Sequence, residues 1–257
     1  MCTVVILRRP DHTWPIILGA NRDEMRDRLW QPPGRHWPDR PEVTAGLDLT
    51  AGGTWMGVND HDVVACVLNR HGSLGPAPGK RSRGELVLEA LDHADAVDAA
   101  EALGALDPAA YRSFNLIVAD NRDAWWLSSA EGAAHVRMEP IPVGLSMFTA
   151  FDRNDPNDPR IATYLPRFEA ATPPDPSRNQ WQDWQKLFGS TDARESHAMS
   201  FKLESGFGTS SSSLLALPSA AAIQKGADPI WLFAAGPPES APFRPVDMFG
   251  APVVTRH

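Results

Sequence analysis

Cys2 directly follows the initiator methionine, so that removal of Met1 would give this residue both a thiol and a free α-amine. An unperturbed α-amine titrates near pH ~7.7–8.0 and a thiol near ~8.5, so the amine can accept the thiol proton at neutral pH. A nucleophile and its base within one residue are the requirement of N-terminal nucleophile catalysis. The structural alternative is that Cys2 is a small, buried apolar residue.

Polar residues follow the second of two apolar runs near the start of the chain. Thr3–Leu7 and Pro15–Ala20 are joined by a short polar connection, and this pattern predicts a β-hairpin. In an antiparallel pair, the start of the first strand lies beside the end of the second. The hairpin therefore brings Asn21-Arg22-Asp23-Glu24 close to Cys2.

Met1-Cys2-Thr3 followed by Asn21-Arg22-Asp23-Glu24 resembles the NRDE family, whose animal members are called transport and Golgi organization proteins. Further motifs in the same order fit this family: Gly52-Gly53-Thr54-Trp55-Met56-Gly57, Leu68-Asn69, Arg81-Ser82-Arg83-Gly84-Glu85-Leu86, Gly206-Phe207-Gly208-Thr209 and Gly236-Pro237-Pro238. The family is similar to the cysteine-type N-terminal nucleophile hydrolases, among them penicillin V acylases and bile salt hydrolases. The resemblance implies an α+β fold, a four-layer αββα sandwich with two antiparallel sheets, in one domain over residues 1–257.

The residue pattern by itself reaches a coarser fold class. Val4–Leu7, Ile16–Leu18 and Val63–Leu68 are nearly continuous apolar runs, which indicates strands covered on both faces. Early and late strands separated by a helical block favour a layered α+β domain. The predicted strands lie at 54–59, 63–69, 212–217 and 230–235, and 114–119 with 124–128 is predicted to form a hairpin. One or two helices are predicted within 86–106, begun by a capping box at Ser82–Glu85 and interrupted near Gly104. Further helices are predicted at 160–170, capped by Asp158 and with Pro166 as a potential break, and at 179–188.

The resemblance implies roles for four catalytic candidates: Cys2, Arg22, Asp23 and Asn69. Asp23 matches the bile salt hydrolase pattern Gly19-x-Asn21-x-Asp23, in which the aspartate holds the α-amine. Its alternative is a strand-end carboxylate paired with Arg22 or Arg26. Arg22 is displaced by two residues from the arginine of the hydrolase pattern, but positions two apart on a strand share a face, so it can reach the same pocket. Asn69 would donate its amide to an oxyanion, a contribution of ~2.7–4 kcal/mol in the transition state, and is otherwise a turn asparagine.

Five further residues are expected to bind the ligand: Asn21, Glu24, Trp55, Arg81 and Arg83. Arg81 and Arg83 suit a carboxylate or a phosphate, and the alternative for both is a solvated basic helix start. Glu24 is alternatively a salt-bridge partner only. Trp55 either packs in the core or lines the pocket.

Two positions depart from the family pattern. The family usually has asparagine after Gly-Leu-Ser, where this chain has Met147, and arginine after the Gly-Thr step, where it has Ser210. The loss of an amide and a guanidinium removes groups that stabilise negative charge. We expect a changed substrate or a loss of catalysis.

Composition excludes several classes of protein. The net charge of −8 and the pI of 5.4 argue against a nucleic-acid partner. No apolar stretch approaches the ~18 residues that span a bilayer, and no secretory leader is visible, so we expect a cytoplasmic protein without stable membrane insertion. Cys2 and Cys66 could form one disulfide, but two reduced thiols fit that compartment better. No zinc-type spacing occurs, so no metal site is predicted.

The first functional hypothesis is a cysteine amidohydrolase that cleaves the C–N bond of a small acyl amide and requires no cofactor. The second is a non-catalytic protein that carries haem as cargo, because members of the NRDE family have been linked to haem trafficking. Arg22, Arg81 and Arg83 would pair with the propionates, and His36 or His71 would offer an axial ligand. The third, weaker hypothesis is the binding or hydrolysis of an acyl thioester.

Overall fold

The computed structural model describes residues 2–193 and 197–248, which form thirteen strands and five α-helices. The strands are β1 (Thr3–Arg8), β2 (Ile16–Met25), β3 (Trp30–Gly34), β4 (Val43–Asp48), β5 (Met56–Asn59), β6 (Val64–Asn69), β7 (Phe114–Ala119), β8 (Ala124–Ser129), β9 (Arg137–Pro140), β10 (Gly144–Phe148), β11 (Phe207–Leu217), β12 (Ile230–Ala234) and β13 (Arg244–Pro245). The helices are α1 (Gly84–Leu91), α2 (Ala96–Gly104), α3 (Pro159–Ala170), α4 (Gln182–Phe188) and α5 (Ala220–Ile223). No helix of the described ranges has the length and apolar character needed to cross a membrane.

The chain divides into two compact units. The first contains the residues up to Asp27 and those of Pro142–Pro245, and the second contains Arg28–Ile141 with the segment that follows Pro245. The expected single domain over residues 1–257 remains a prediction.

The first unit is an antiparallel sheet with the strand order β10-β1-β2-β11-β12-β13. Helices α3 and α4 pack on one face of it, where side chains of the sheet and of both helices form a core that includes Val5, Ile17, Met147, Phe168 and Trp184. The opposite face, with Val4, Ile6 and Leu18, is also buried. The prediction that these strands are covered on both faces is confirmed.

The second unit is an antiparallel sheet with the strand order β3-β4-β5-β6-β7-β8-β9. Helices α1 and α2 cover one face, and their Leu86, Leu91 and Leu103 share a core with Phe114 and Leu116 of β7. The predicted pairing of 54–59 with 63–69 and the hairpin of 114–119 with 124–128 are both confirmed.

Three details of the helices differ from the sequence predictions. Helix α2 ends at Gly104, where an interruption was predicted, but a further break lies at 92–95, because Asp95 caps α2 through the amide of Asp98. The capping box at Ser82–Glu85 does not form: the Ser82 hydroxyl accepts from the Gly84 amide, and the Glu85 carboxylate pairs with Arg81. Helix α3 continues through Pro166 without a split.

Candidate active site

The hairpin of β1 and β2 places Cys2 beside the polar end of β2. Thr3 pairs with Asn21, so the same register continued by one residue brings Cys2 opposite Arg22. The partly buried Cys2 Sγ lies 3.4 Å from the Asp23 amide nitrogen and 3.5 Å from the Asp23 carbonyl oxygen. The predicted proximity of Cys2 to the Asn21–Glu24 motif is confirmed by these contacts.

Alternate residues of β2 explain the Gly19-x-Asn21-x-Asp23 pattern. These three residues face the α3 and α4 side of the sheet, because positions two apart on a strand share a face. A Cβ at Gly19 would lie 2.3 Å from the Phe188 ring, so only glycine fits beneath α4. The amide of Asn21 donates to the carbonyl oxygens of Phe188 at 2.9 Å and Met199 at 2.8 Å. The buried Asn21 side chain therefore links β2 to the backbone at Phe188 and Met199. Its expected role in ligand binding remains a prediction.

The Asp23 carboxylate is held by two side chains from other elements. Arg160 of α3 approaches one carboxylate oxygen with its Nη1 at 2.9 Å, and both side chains of this ion pair are essentially inaccessible to solvent. The Thr209 hydroxyl of β11 donates to the other oxygen at 2.9 Å. Arg160 Nη1 also donates to the Thr3 hydroxyl at 2.8 Å. This network, formed by Thr3, Asp23, Arg160 and Thr209, fixes the position of the Asp23 carboxylate.

Arg22 is buried beside a β-bulge. Strand β11 pairs Thr209 with Asp23 and Ser211 with Arg22, so Ser210 is the extra residue of the bulge. The Ser210 hydroxyl accepts from Arg22 Nη1 at 3.2 Å and donates to the Arg22 carbonyl at 3.0 Å. A second contact joins Arg22 to the Glu24 carboxylate at 3.6 Å, as expected if Glu24 is a salt-bridge partner. Bulges of this kind re-aim side chains and are common next to active sites.

Electrostatics at Cys2 oppose formation of a thiolate. Burial raises the pKa of the Cys2 thiol above its ordinary value, and the negative charge of Asp23 adds to this rise. The positive charge of Arg22 acts in the opposite direction but does not reverse it. The thiol therefore needs a base before it can act as a nucleophile near neutral pH.

Asn69 ends β6 in the second unit, opposite Phe114 of β7. It is half-buried, and no hydrogen bond from its side-chain amide to another described residue is seen. An amide group in this condition can still donate to a ligand. The expected site shared by Asn69 with Cys2 and Asp23 remains a prediction.

Arg81 and Arg83 make contacts within the second unit. The Arg81 guanidinium donates to Glu85 at 2.8 Å and to Glu89 at 2.6 Å and lies over the Tyr111 ring. Arg83 Nη1 donates to the Ser73 carbonyl at 2.8 Å and to the Ser113 carbonyl at 3.0 Å, which ties the loop after β6 to the start of α1. These contacts show how both arginines support structure, whereas their proposed binding of a carboxylate or phosphate remains a prediction.

The two glycine-containing motifs of the second unit form one contact. A Cβ at Gly53 would lie 2.7 Å from the Gly84 carbonyl carbon, and a Cβ at Gly84 would lie 2.9 Å from the Thr54 nitrogen. The Thr54 amide donates to the Gly84 carbonyl at 3.3 Å. Trp55 follows this contact, and its ring packs over Gly46 and edge-on against Trp30 at 5.8 Å. Close backbone approach therefore accounts for the spacing of glycine in both motifs.

The two departures from the family pattern lie in different surroundings. Met147 of β10 is fully buried in the core shared with α3 and α4, so its side chain completes apolar packing. Ser210 lies in the bulge and contacts Arg22 directly. The chain thus lacks an arginine at a position that adjoins Arg22, and the effect of both departures on catalysis remains a prediction.

Arg160 and Thr209 are the site residues that the sequence interpretation missed. The Asp158-Pro159 cap correctly placed Arg160 in the first turn of α3, since the Asp158 carboxylate accepts from the Arg160 amide at 2.7 Å. Nothing in the local pattern distinguishes an arginine that points into the core from one in solvent, where most are found. Thr209 belongs to the Gly206-Phe207-Gly208-Thr209 motif. Pairing this motif with β2 would have placed Thr209 opposite Asp23.

The histidines and acidic residues of the described ranges offer no group of three or more metal-ligating side chains. The His36 ring lies 2.8 Å from the Pro32 carbonyl oxygen, and His71 is exposed.

Comparison with known proteins agrees with the fold and motifs described above. The family described as Transport and Golgi organisation 2 matches residues 1–221. A search of curated protein sequences gives no match. Among solved structures, the N-acylethanolamine-hydrolyzing acid amidase ortholog of Caenorhabditis elegans matches with a TM-score of 0.58 and 14% identity, over 83% of this chain and 92% of that chain. A variant of the conjugated bile acid hydrolase from Clostridium perfringens matches with a TM-score of 0.50 and 11% identity, over 100% of this chain and 99% of that chain.

These structural matches confirm the expected α+β fold of the N-terminal nucleophile hydrolases. The motifs and the match over most of the length confirm the resemblance stated from the sequence. The chain belongs to the Transport and Golgi organisation 2 family.

Proposed function

We propose that this protein is a cysteine amidohydrolase of the N-terminal nucleophile type, which cleaves the C–N bond of a small acyl amide. One observation carries the proposal: Cys2 Sγ lies against the backbone of Asp23, whose carboxylate is fixed by Arg160 and Thr209. The two solved relatives are named for the hydrolysis of N-acylethanolamines and conjugated bile acids, which supports an acyl amide as the substrate class.

The proposed reaction begins with removal of Met1, which exposes the α-amine of Cys2. That amine takes the thiol proton, and Sγ attacks the carbonyl carbon of the amide to give a tetrahedral oxyanion. When the oxyanion collapses, the C–N bond breaks, the α-ammonium returns its proton to the leaving nitrogen, and an acyl thioester remains on Cys2. The amine then takes a proton from water, whose oxygen attacks the thioester, so that the acid is released and the thiol is restored.

The raised pKa of the Cys2 thiol supports the α-amine as the base. A thiol that remains protonated at neutral pH must lose its proton to a base, and that base must lie within hydrogen-bond distance of the sulfur. The α-amine meets that requirement because it belongs to the same residue. In this proposal Asp23 orients the amine, and Arg22 attracts the oxyanion.

We propose the cytoplasm as the compartment, in which thiols stay reduced. Cys2 and Cys66 are not joined to each other by a disulfide, which supports this proposal. Haem carriage, with pairing of the propionates to arginine, rests on the family resemblance and stays the alternative. Acyl-thioester hydrolysis would use the same nucleophile and is the weaker alternative.

The proposal is tested with the purified protein after intact mass spectrometry has established whether Met1 is removed. A set of N-acyl amides that differ in acyl chain and amine is assayed with the wild type and with Cys2→Ala, Cys2→Ser and Cys66→Ala. We expect hydrolysis by the wild type and by the matched Cys66→Ala control, less by Cys2→Ser, and none by Cys2→Ala. Retention of Met1 in active protein, or full activity of Cys2→Ala, would contradict the mechanism.

A further inference from the structure

The ion pair between Arg160 and Asp23 is costly for a purely structural contact. Both side chains are essentially inaccessible to solvent, and removing two charges from water is unfavourable unless the geometry offsets it. Apolar side chains of the same volume often stabilise a core equally well. Arg160 nevertheless projects from the first turn of α3 onto the carboxylate of Asp23, the residue whose backbone contacts Cys2 Sγ.

An unneutralised carboxylate would impair the α-amine as a base. A negative charge within about 4–6 Å favours the protonated form of an amine and raises its pKa. A protonated α-amine cannot accept the thiol proton. If Asp23 holds the amine in place, its negative charge also raises the pKa of the amine and makes it a worse base at neutral pH. A positive charge next to the aspartate removes this conflict.

Two ion pairs of described residues involve the end of β2 that lies beside Cys2. From β2, Arg22 contacts Glu24 at 3.6 Å, and from α3, Arg160 contacts Asp23 at 2.9 Å. The neighbouring strand residues Thr3, Thr209 and Ser210 contribute uncharged hydroxyl groups.

Asp158, which caps α3, accepts hydrogen bonds from the Thr149 hydroxyl and the Arg160 backbone amide. Among these described groups, Arg160 donates directly to the Asp23 carboxylate.

We infer that Arg160 is a positioning residue that keeps the α-amine of Cys2 in its unprotonated, basic form by pairing with Asp23. This inference rests on the proposed function, since it assigns a purpose to the pair only if the amine acts as the base. Arg160 allows Asp23 to hold the amine by hydrogen bonding while the guanidinium offsets the charge of the carboxylate. The Thr3 hydroxyl, bonded to the same Nη1, fixes the guanidinium relative to β1.

The pH dependence of kcat/KM tests the inference. We expect Arg160→Met to move the acidic limb of the profile upward by about one pH unit, because the uncompensated carboxylate raises the pKa of the thiol–amine pair. At a pH below the limb, this shift lowers the rate about tenfold, and the rate recovers as the pH rises. Arg160→Lys keeps the charge and should retain the wild-type limb. If Arg160→Met does not fold, Arg160→Gln keeps a donor without the charge and should show the same upward shift.

Arg167→Met is the matched control on the same helix. Arg167 lies two turns further along α3, is exposed, and contacts Asp192 at 3.6 Å, so its loss should leave the limb in place. A merely structural role of Arg160 would lower kcat/KM or stability without moving the limb. The inference is overturned if a folded Arg160→Met or Arg160→Gln variant has the wild-type limb.

A direct titration separates this inference from the proposed function. In a Cys2→Ala background, the α-amine is labelled by reductive ¹³C-methylation and its pKa is followed by NMR, with and without Arg160→Met. We expect a higher amine pKa without Arg160, whether or not any amide is hydrolysed. Equal amine pKa values would overturn the inference, whereas an inactive wild type with the expected amine shift would overturn only the proposed function.

Discussion

At the scale of single residues, Cys2 combines a favourable position with an unfavourable thiol environment. Its sulfur contacts the backbone of Asp23, but burial and the Asp23 charge keep it protonated. In most cysteine enzymes a positive neighbour lowers the thiol pKa. Here the nearby Arg22 does not overcome the opposing effects, so the proposed mechanism requires removal of Met1 to expose the α-amine as the base.

The first prediction concerns the reactivity of Cys2 before that removal. Protein made with methionine aminopeptidase inhibited, and carrying Cys66→Ala, has Cys2 as its one thiol. Because alkylation by iodoacetamide requires the thiolate, we expect its rate to increase about tenfold per pH unit and to level off at a higher pH than in the same protein unfolded in urea. Mass spectrometry of the alkylated fraction measures both profiles. A folded-state profile that levels off at the lower pH would contradict the raised pKa.

The sequence correctly predicted which strand end lies beside Cys2. The contact between Cys2 and Asp23 followed from the hairpin order, because register alone determines which backbone atoms meet. Arg160 did not follow, since it is 137 residues away from Asp23 in sequence and its inward direction depends on how α3 packs. Local patterns determine neighbours along a hairpin, whereas side chains delivered from distant helices depend on tertiary packing.

At the scale of elements, the glycine contact between the loop before β5 and the start of α1 sets how closely the helix approaches the sheet. Gly53 and Gly84 meet backbone to backbone, with no room for a side chain. The sequence showed both glycines within motifs but not that the motifs touch. Strands β3 and β4 were also missed. In β3, Pro32 and Pro33 interrupt the sequence pattern of a strand, and the register of β3 with β4 is irregular.

The second prediction is that Gly53→Ala destabilises the protein by about 1–3 kcal/mol in the free energy of unfolding, the usual cost of overpacking. The added Cβ would overlap the Gly84 backbone at 2.7 Å, which cannot move without displacing α1. Gly104→Ala is the matched control, because its Cβ would meet only ordinary contacts from 3.5 Å at the end of α2. Urea unfolding should show Gly104→Ala equal to or more stable than the wild type. Equal stability of the two variants would mean that the close approach is not rigid.

At the scale of the whole molecule, the fold and family were predictable from the order of the motifs, but the use of the site was not. The motifs identify the family that the chain resembles, but not the ligand of this protein. The departures at Met147 and Ser210 change the polar groups at two positions and do not indicate which ligand binds. The strand order of each sheet also lay beyond the sequence, since β10 and β11 join β1 and β2 from more than a hundred residues away.

The third prediction separates amide hydrolysis from haem carriage. If the protein carries haem, titration should give saturable one-to-one binding, and Arg22→Ala should weaken it about tenfold or more through loss of a charge-assisted contact with a propionate. Arg26→Ala, at an exposed position nearby, is the control and should bind like the wild type. Haem absorbance and tryptophan quenching give the affinity. Absent binding, or unsaturable binding that Arg22→Ala leaves unchanged, would favour hydrolysis.

The pairing of β2 with β11 has a consequence for the order of events during synthesis. The Cys2 end of the chain emerges first, whereas Arg160 and Thr209 are added much later, after on the order of ten seconds or more of translation. An aminopeptidase that works on the nascent chain therefore meets an open N-terminus, before the partners of Asp23 exist. If Met1 is removed, as the proposed mechanism requires, the topology of the sheet separates this removal in time from the assembly of the network around Asp23.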